Sequence, residues 1–134
     1  MSEKLELSVV LPAAPQQVYQ AWLDSKAHAD FTGSPANIDP HTGGDYSAWE
    51  GYIWGKNLAL EPYRFIRQSW HTSEFPEGAP DSLLEITFEP AGEGTLLTML
   101  HTNIPDGQAE QYRQGWEDYY FEPMQEYFGT ESGK

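Results

Sequence analysis

The chain has 134 residues, 7 Lys+Arg against 21 Asp+Glu for a formal net charge of −14, and no cysteine. That length suits one domain able to bury a core without covalent staples, and the lack of thiols excludes disulfides and thiolate metal centres. The charge repels phosphate backbones and anionic lipid headgroups, which excludes nucleic acid and membrane surfaces as partners; a basic protein surface would be attracted, although solubility alone accounts for an acidic composition.

Met1-Ser2-Glu3-Lys4 has no basic run and leads straight into an alternating pattern, unlike a signal peptide. No apolar run approaches membrane-spanning length. The expected compartment is the cytoplasm.

Lys4 to Leu11 alternates, with Leu5, Leu7, Val9 and Leu11 on one side, which predicts a half-buried strand. Pro12-Ala13-Ala14-Pro15 ends it, and Pro15 suits the first turn of a helix. Val18, Tyr19, Ala21, Trp22 and Leu23 give that helix its apolar face. Asp24 or Ser25 then caps a second short helix reaching about Phe31. Strands follow at Ala36 to Ile38, Tyr46 to Trp49, Tyr52 to Leu60, Phe65 to Thr72, Leu83 to Phe88 and Thr95 to His101. Their short connections predict an antiparallel meander.

The last element is the most informative. Ala109, Tyr112, Trp116, Tyr119, Tyr120, Pro123, Met124 and Tyr127 share one face of a helix; Glu110, Arg113, Glu117, Glu122 and Glu126 share the other. Pro123 lacks a backbone donor and crowds the carbonyl one turn back, so a kink is expected near Tyr119. The fold class is α+β: a curved antiparallel sheet wrapped around a long C-terminal helix, with two short helices after the first strand. Residues 1–128 read as one domain and 129–134 as a flexible tail.

The order and spacing of several short pieces resemble the activator of heat-shock-protein-90 ATPase homologue family, within the START-like superfamily of helix-grip folds. They are Pro12-Ala13-Ala14-Pro15-Gln16-Gln17-Val18-Tyr19-Gln20-Ala21-Trp22, Gly43-Gly44-Asp45-Tyr46, Gly51-Tyr52-Ile53-Trp54-Gly55 and Leu60-Glu61-Pro62. Ile66-Arg67-Gln68-Ser69-Trp70, Phe75-Pro76-Glu77-Gly78, Gly94-Thr95, Gly115-Trp116 and Tyr119-Tyr120-Phe121 continue the series over nearly the whole chain. The resemblance implies a cavity between helix and sheet and a chaperone-related role. In the eukaryotic activator this domain is the C-terminal half of a longer protein. The N-terminal domain that stimulates the chaperone's ATPase is not among these residues. The resemblance therefore implies weak contact with a heat-shock-protein-90 homologue and little ATPase stimulation.

Candidate chemistry is sparse. Asp39 and His41 lie close together without a third ligand, and His28, His71 and His101 form no metal-binding spacing, so no metal or other cofactor is expected. No Ser sits in a Gly-x-Ser-x-Gly elbow, and the Gly-rich turns lack the spacing and Lys of a phosphate loop. Glu85 and Glu89 share one strand face, expected to be the solvent side. No catalytic residue is assigned. The aromatic set is more telling. Trp49, Trp54, Trp70, Phe88, Met99, Trp116, Tyr120 and Met124 are predicted to line a space between sheet and helix. An apolar cavity with a few polar tips is what a small-molecule site looks like; the alternative is that these side chains fill a close-packed core. The expected function is a non-enzymatic domain, either chaperone-related or binding an apolar small molecule. A small cyclase- or hydrolase-like enzyme using the same cavity is the rival.

Overall fold

The computed structural model describes residues 2–132, with side chains through residue 129. Its elements are β1 (Ser2–Leu11), α1 (Pro15–Leu23), α2 (Ser25–Thr32), β2 (Ala36–Ile38), β3 (Asp45–Ala48), β4 (Ile53–Glu61), β5 (Phe65–Thr72), β6 (Ser82–Ala91), β7 (Gly94–Pro105), α3 (Ala109–Trp116), a π-helical turn (Glu117–Phe121) and α4 (Glu122–Ser132). Residues 129–132 thus continue the last helix, where the sequence reading began a tail; Gly133 and Lys134 lie outside the described residues.

The strands form one seven-stranded sheet in the order β1-β7-β6-β5-β4-β3-β2. All neighbours are antiparallel, as short connections require. β1 and β2 lie at opposite edges, so the chain between them must cross a face of the sheet. That crossing is α1 and α2. Pro15 opens α1, and Asp24 caps α2 by accepting from the Ala27 N–H at 2.8 Å. Val18, Tyr19, Trp22, Leu23, His28 and Phe31 are buried against the sheet and the C-terminal helix.

Alternation is strict through the central strands. Ile66, Gln68, Trp70 and Thr72 of β5 point inward, as do Leu84, Ile86 and Phe88 of β6 and Leu97, Met99 and His101 of β7. Their outward neighbours include Arg67 and Glu85, a directly opposed pair joined at 2.7 and 2.9 Å. Glu85 is therefore tied to its neighbour strand, while Glu89 is exposed.

The C-terminal helix is irregular where Pro123 predicts it. The turn from Glu117 to Phe121 is π-helical, and the Glu122 N–H bonds to the Glu117 carbonyl instead of the one four residues back. The wider turn absorbs the proline and inserts one residue into the helical register. Up to that point the buried positions are Tyr112, Trp116 and Tyr120; beyond it they are Phe121, Met124 and Phe128. A single 3.6-residue period cannot show this jump. It also leaves Tyr119 59% exposed, where simple periodicity puts it on the buried face.

Candidate functional site

An open groove of about 570 Å³ lies between α3, the π turn and the near end of the sheet. On the helix side Gln111, Tyr112, Gly115, Trp116, Tyr119 and Tyr120 line it at steps of one and four residues. Trp49, Tyr52 and Ile53, at and after the β3–β4 turn, line it on the sheet side, together with Trp70 at the end of β5 and Glu74 just beyond. Gly115 keeps the helix wall thin. A Cβ built there would meet only Tyr119 Cδ2, at 4.0 Å.

The rim is built from a strained turn. Trp49 and Glu50 both adopt left-handed backbone, with φ of 55° and 56°, and Gly51 follows at 89°. Large side chains rarely hold such angles, and such strain persists only where surrounding contacts fix it. Those contacts are present. The Trp49 indole N–H donates to the Tyr120 hydroxyl at 3.3 Å, and its ring meets Tyr119 edge-on at a centroid distance of 5.7 Å. On the same side of the groove Glu74 is held at three points. Its N–H donates to Thr72 Oγ1 at 3.1 Å, its carbonyl accepts from Gln108 Nε2 at 2.9 Å, and its carboxylate accepts the Tyr52 hydroxyl. Burial, and then the hydrogen bond to Glu74, raise the Tyr52 pKa.

Behind the groove the polar groups are consumed by one another. His28 Nδ1 donates to the Trp22 carbonyl at 3.0 Å, so Nε2 is left to accept the Tyr120 hydroxyl at 3.0 Å. Trp116 Nε1 donates to His101 Nδ1 at 3.2 Å. His101 Nε2 then donates to Ser82 Oγ at 2.8 Å, and Ser82 donates on to the Trp70 carbonyl at 2.8 Å. Both rings are held neutral: burial lowers His28 to about 4 and His101 to about 3. Trp22 Nε1 donates to Gln68 Oε1 at 3.3 Å, and Gln68 Nε2 to Asn57 Oδ1 at 2.7 Å. No buried side-chain polar atom lacks a partner among the described residues.

The predicted lining residues divide into three groups. Trp49, Trp70, Trp116 and Tyr120 come together in the groove. Phe88, Met99 and Met124 are fully buried and pack in the core; Phe88 meets Tyr19 edge-on. Trp54 is a correction. It follows inward-facing Ile53, so strand alternation turns it to the outer face, where it stacks on His71 at 4.9 Å and is 41% exposed. The enclosed space beneath the helix is only about 10 Å³, bordered by Trp22, Gln68, Leu84 and Trp116, about the size of one water. The site is thus an open groove, where the sequence left open whether the aromatic set lines a cavity or fills a close-packed core. The predicted lining set omitted Tyr52, Ile53, Glu74, Gln111, Tyr112, Gly115 and Tyr119. Gln111 and Gly115 were findable, one position from Tyr112 and Trp116 on the helix. Tyr52 and Glu74 belong to loop geometry that no periodicity encodes.

None of the four histidines meets a second and third ligand: among the described residues no group of three or more His, Asp or Glu side chains is placed to hold a metal ion. His71 and His41 pair instead with Asp81 and Asp39, at 2.9 and 2.6 Å.

Comparison with known proteins places this architecture. The family model described as "Activator of Hsp90 ATPase homolog 1-like protein" matches residues 12–129. The chain belongs to this family. The human and mouse proteins named activator of 90 kDa heat shock protein ATPase homolog 1 are each 29% identical over 126 residues, which is 94% of this chain and 37% of theirs. The chain therefore spans a little over a third of the length of these relatives. Among solved structures, an HSP90 activator from Plasmodium falciparum superposes with a TM-score of 0.87 at 22% identity, covering 94% of this chain and 96% of that one. A Chromobacterium violaceum protein follows at 0.76 and 27%, covering 93% and 96%. These neighbours share the helix-grip fold expected from the sequence. No described helix is long and apolar enough to cross a membrane.

Proposed function

We propose that this member of the Hsp90-activator-homologue family is a non-catalytic binding domain whose working surface is the groove under α3 and the π turn. One observation carries the reading: seven aromatic rings converge on an open space of about 570 Å³, walled by few polar groups. That volume and lining suit a small ligand with an apolar body. The cyclase- or hydrolase-like alternative has less support. The two buried histidines have both ring nitrogens engaged, and Glu74 is the groove's one lining carboxylate. General acid–base work needs a group free to exchange a proton with substrate. The test is a titration with compact apolar probes, following tryptophan emission and the thermal midpoint. Saturable emission changes with a raised midpoint support the groove; no response from any probe removes it.

A second reading is favoured by the relatives, which are named as activators of an Hsp90 ATPase. A net charge of −14 would steer the domain toward a basic patch on such a chaperone. We expect weak binding in the cytoplasm that declines with salt, since exposed charges are screened beyond about 10 Å at 0.1 M, and an almost unchanged hydrolysis rate. An isotherm at low and high salt, beside a steady-state ATPase assay, measures both. Absence of binding at low salt refutes the contact; strong stimulation refutes the division of labour.

A further inference from the structure

The groove has a charge as well as a shape. Its lining includes the Glu74 carboxylate and neither Lys nor Arg. The chain's cations are mostly engaged elsewhere: Lys26 with Asp30, Lys56 with Asp45, Arg64 with Glu61, Arg67 with Glu85 and Arg113 with Glu110. Nothing in the groove wall neutralises Glu74. Its position is fixed in advance by the Thr72, Gln108 and Tyr52 hydrogen bonds, so a partner meets a carboxylate already aimed. The remaining wall is aromatic, and ring faces carry negative quadrupole charge that attracts cations.

We propose that the groove recognises small organic cations, ammonium groups carried on an apolar body. This rests on the groove being a binding site. The ammonium head sits at the Glu74–Tyr52 rim. The apolar body lies along Trp49, Trp70, Trp116 and Tyr119. Net negative charge over the whole chain raises the local concentration of such ligands and disfavours fatty-acid-like anions of the same shape.

Three probes of nearly one size separate charge from apolar burial: 4-phenylbutylammonium, 4-phenylbutanol and 4-phenylbutyrate. Titration calorimetry on the full chain should give the ammonium about tenfold tighter binding than the alcohol, the combined effect of ring-face attraction and a carboxylate partner. The butyrate should bind weakest. Glu74→Gln keeps an acceptor for the Tyr52 hydroxyl at an exposed position, so its thermal midpoint should match the parent. It should remove most of the ammonium's advantage and leave the alcohol unchanged. Equal affinity for ammonium and alcohol, or an ammonium preference that survives Glu74→Gln, overturns the proposal while the groove stands as an apolar site. Failure of all three probes removes the groove reading itself, and this proposal with it.

Discussion

The two halves of the C-terminal helix lie over the same sheet and end up in opposite states. Beneath α4, Met124 and Phe128 are buried, and Phe31 of α2 meets Tyr127 edge-on at 6.0 Å. Beneath α3, Tyr112 and Trp116 are buried on one side but border the groove on the other. The difference lies in what fills the third side. The crossing helices α1 and α2 bring Trp22, His28 and Phe31 against Trp116 and Tyr120 and stop there. The near end receives only the β3–β4 turn and the segment after β5, which supply a rim and no plug. An aromatic-faced helix therefore yields a packed core or a ligand groove according to whether a second helical layer reaches it.

The contrast can be broken at the seam. Trp116 contacts Trp22 on the packed side and Trp70 on the open side. Trp116→Ala should cost about 3 to 5 kcal/mol in chemical denaturation, as buried large-to-small aromatic changes do. Trp49→Ala, at the rim, should cost roughly 1 kcal/mol, because part of its surface is already in water. Similar losses at the two positions would show that rim and seam are equally packed.

The two histidines buried behind the groove should carry the protein's acid sensitivity. His28 in the folded chain titrates at about 4 against 6.5 for a free imidazole, so between those values the unfolded chain binds the proton and the folded chain does not. The stabilisation is complete above pH 6.5 and is lost as pH falls toward 4. That shift corresponds to about 3 kcal/mol. His101 extends the same loss toward pH 3. Stability measured from pH 7 to 4 should decline less steeply in His28→Gln than in the parent. Superimposable slopes would mean that His28 is not held neutral by its burial.

Gly115 sharpens the comparison from the open side. Space exists beyond its Cα, so Gly115→Leu should project into the groove and abolish probe binding, while stability changes by less than about 1 kcal/mol. Gly115→Ala should raise stability by about 0.5 to 1 kcal/mol through helix propensity alone. Retained binding in the leucine variant would place the ligand elsewhere. The smallest effect is expected at Trp54. It stacks on the outer face, so Trp54→Ala should leave probe affinity unchanged.

Much of this was legible in the sequence because periodicity reports which way a side chain faces. β5 alternates along its length, β6 as far as Phe88 and β7 as far as His101, and the Pro15 and Asp24 signals place both short helices. Pro123 even located the helix irregularity. Its consequence was hidden, since a π turn advances the register by one residue and exchanges Tyr119 for Phe121 in the core. The groove was legible only in part. Trp and Tyr abundance pointed to aromatic walls, but composition cannot tell Met99, sealed in β7, from Trp49, set on a strained turn. Trp54 shows the same limit: its facing depends on the strand register, which begins at Ile53.

The five tryptophans offer the most direct test, because each carries an indole N–H visible in a heteronuclear spectrum. Trp49, Trp70 and Trp116 line the groove; Trp22 lies behind it and Trp54 on the outer face. Titration with 4-phenylbutanol, assigned by single Trp→Phe variants, should shift the signals of Trp49, Trp70 and Trp116 and leave that of Trp54 in place. Shifts centred on Trp54, or spread equally over all five, would contradict an apolar binding groove beneath α3.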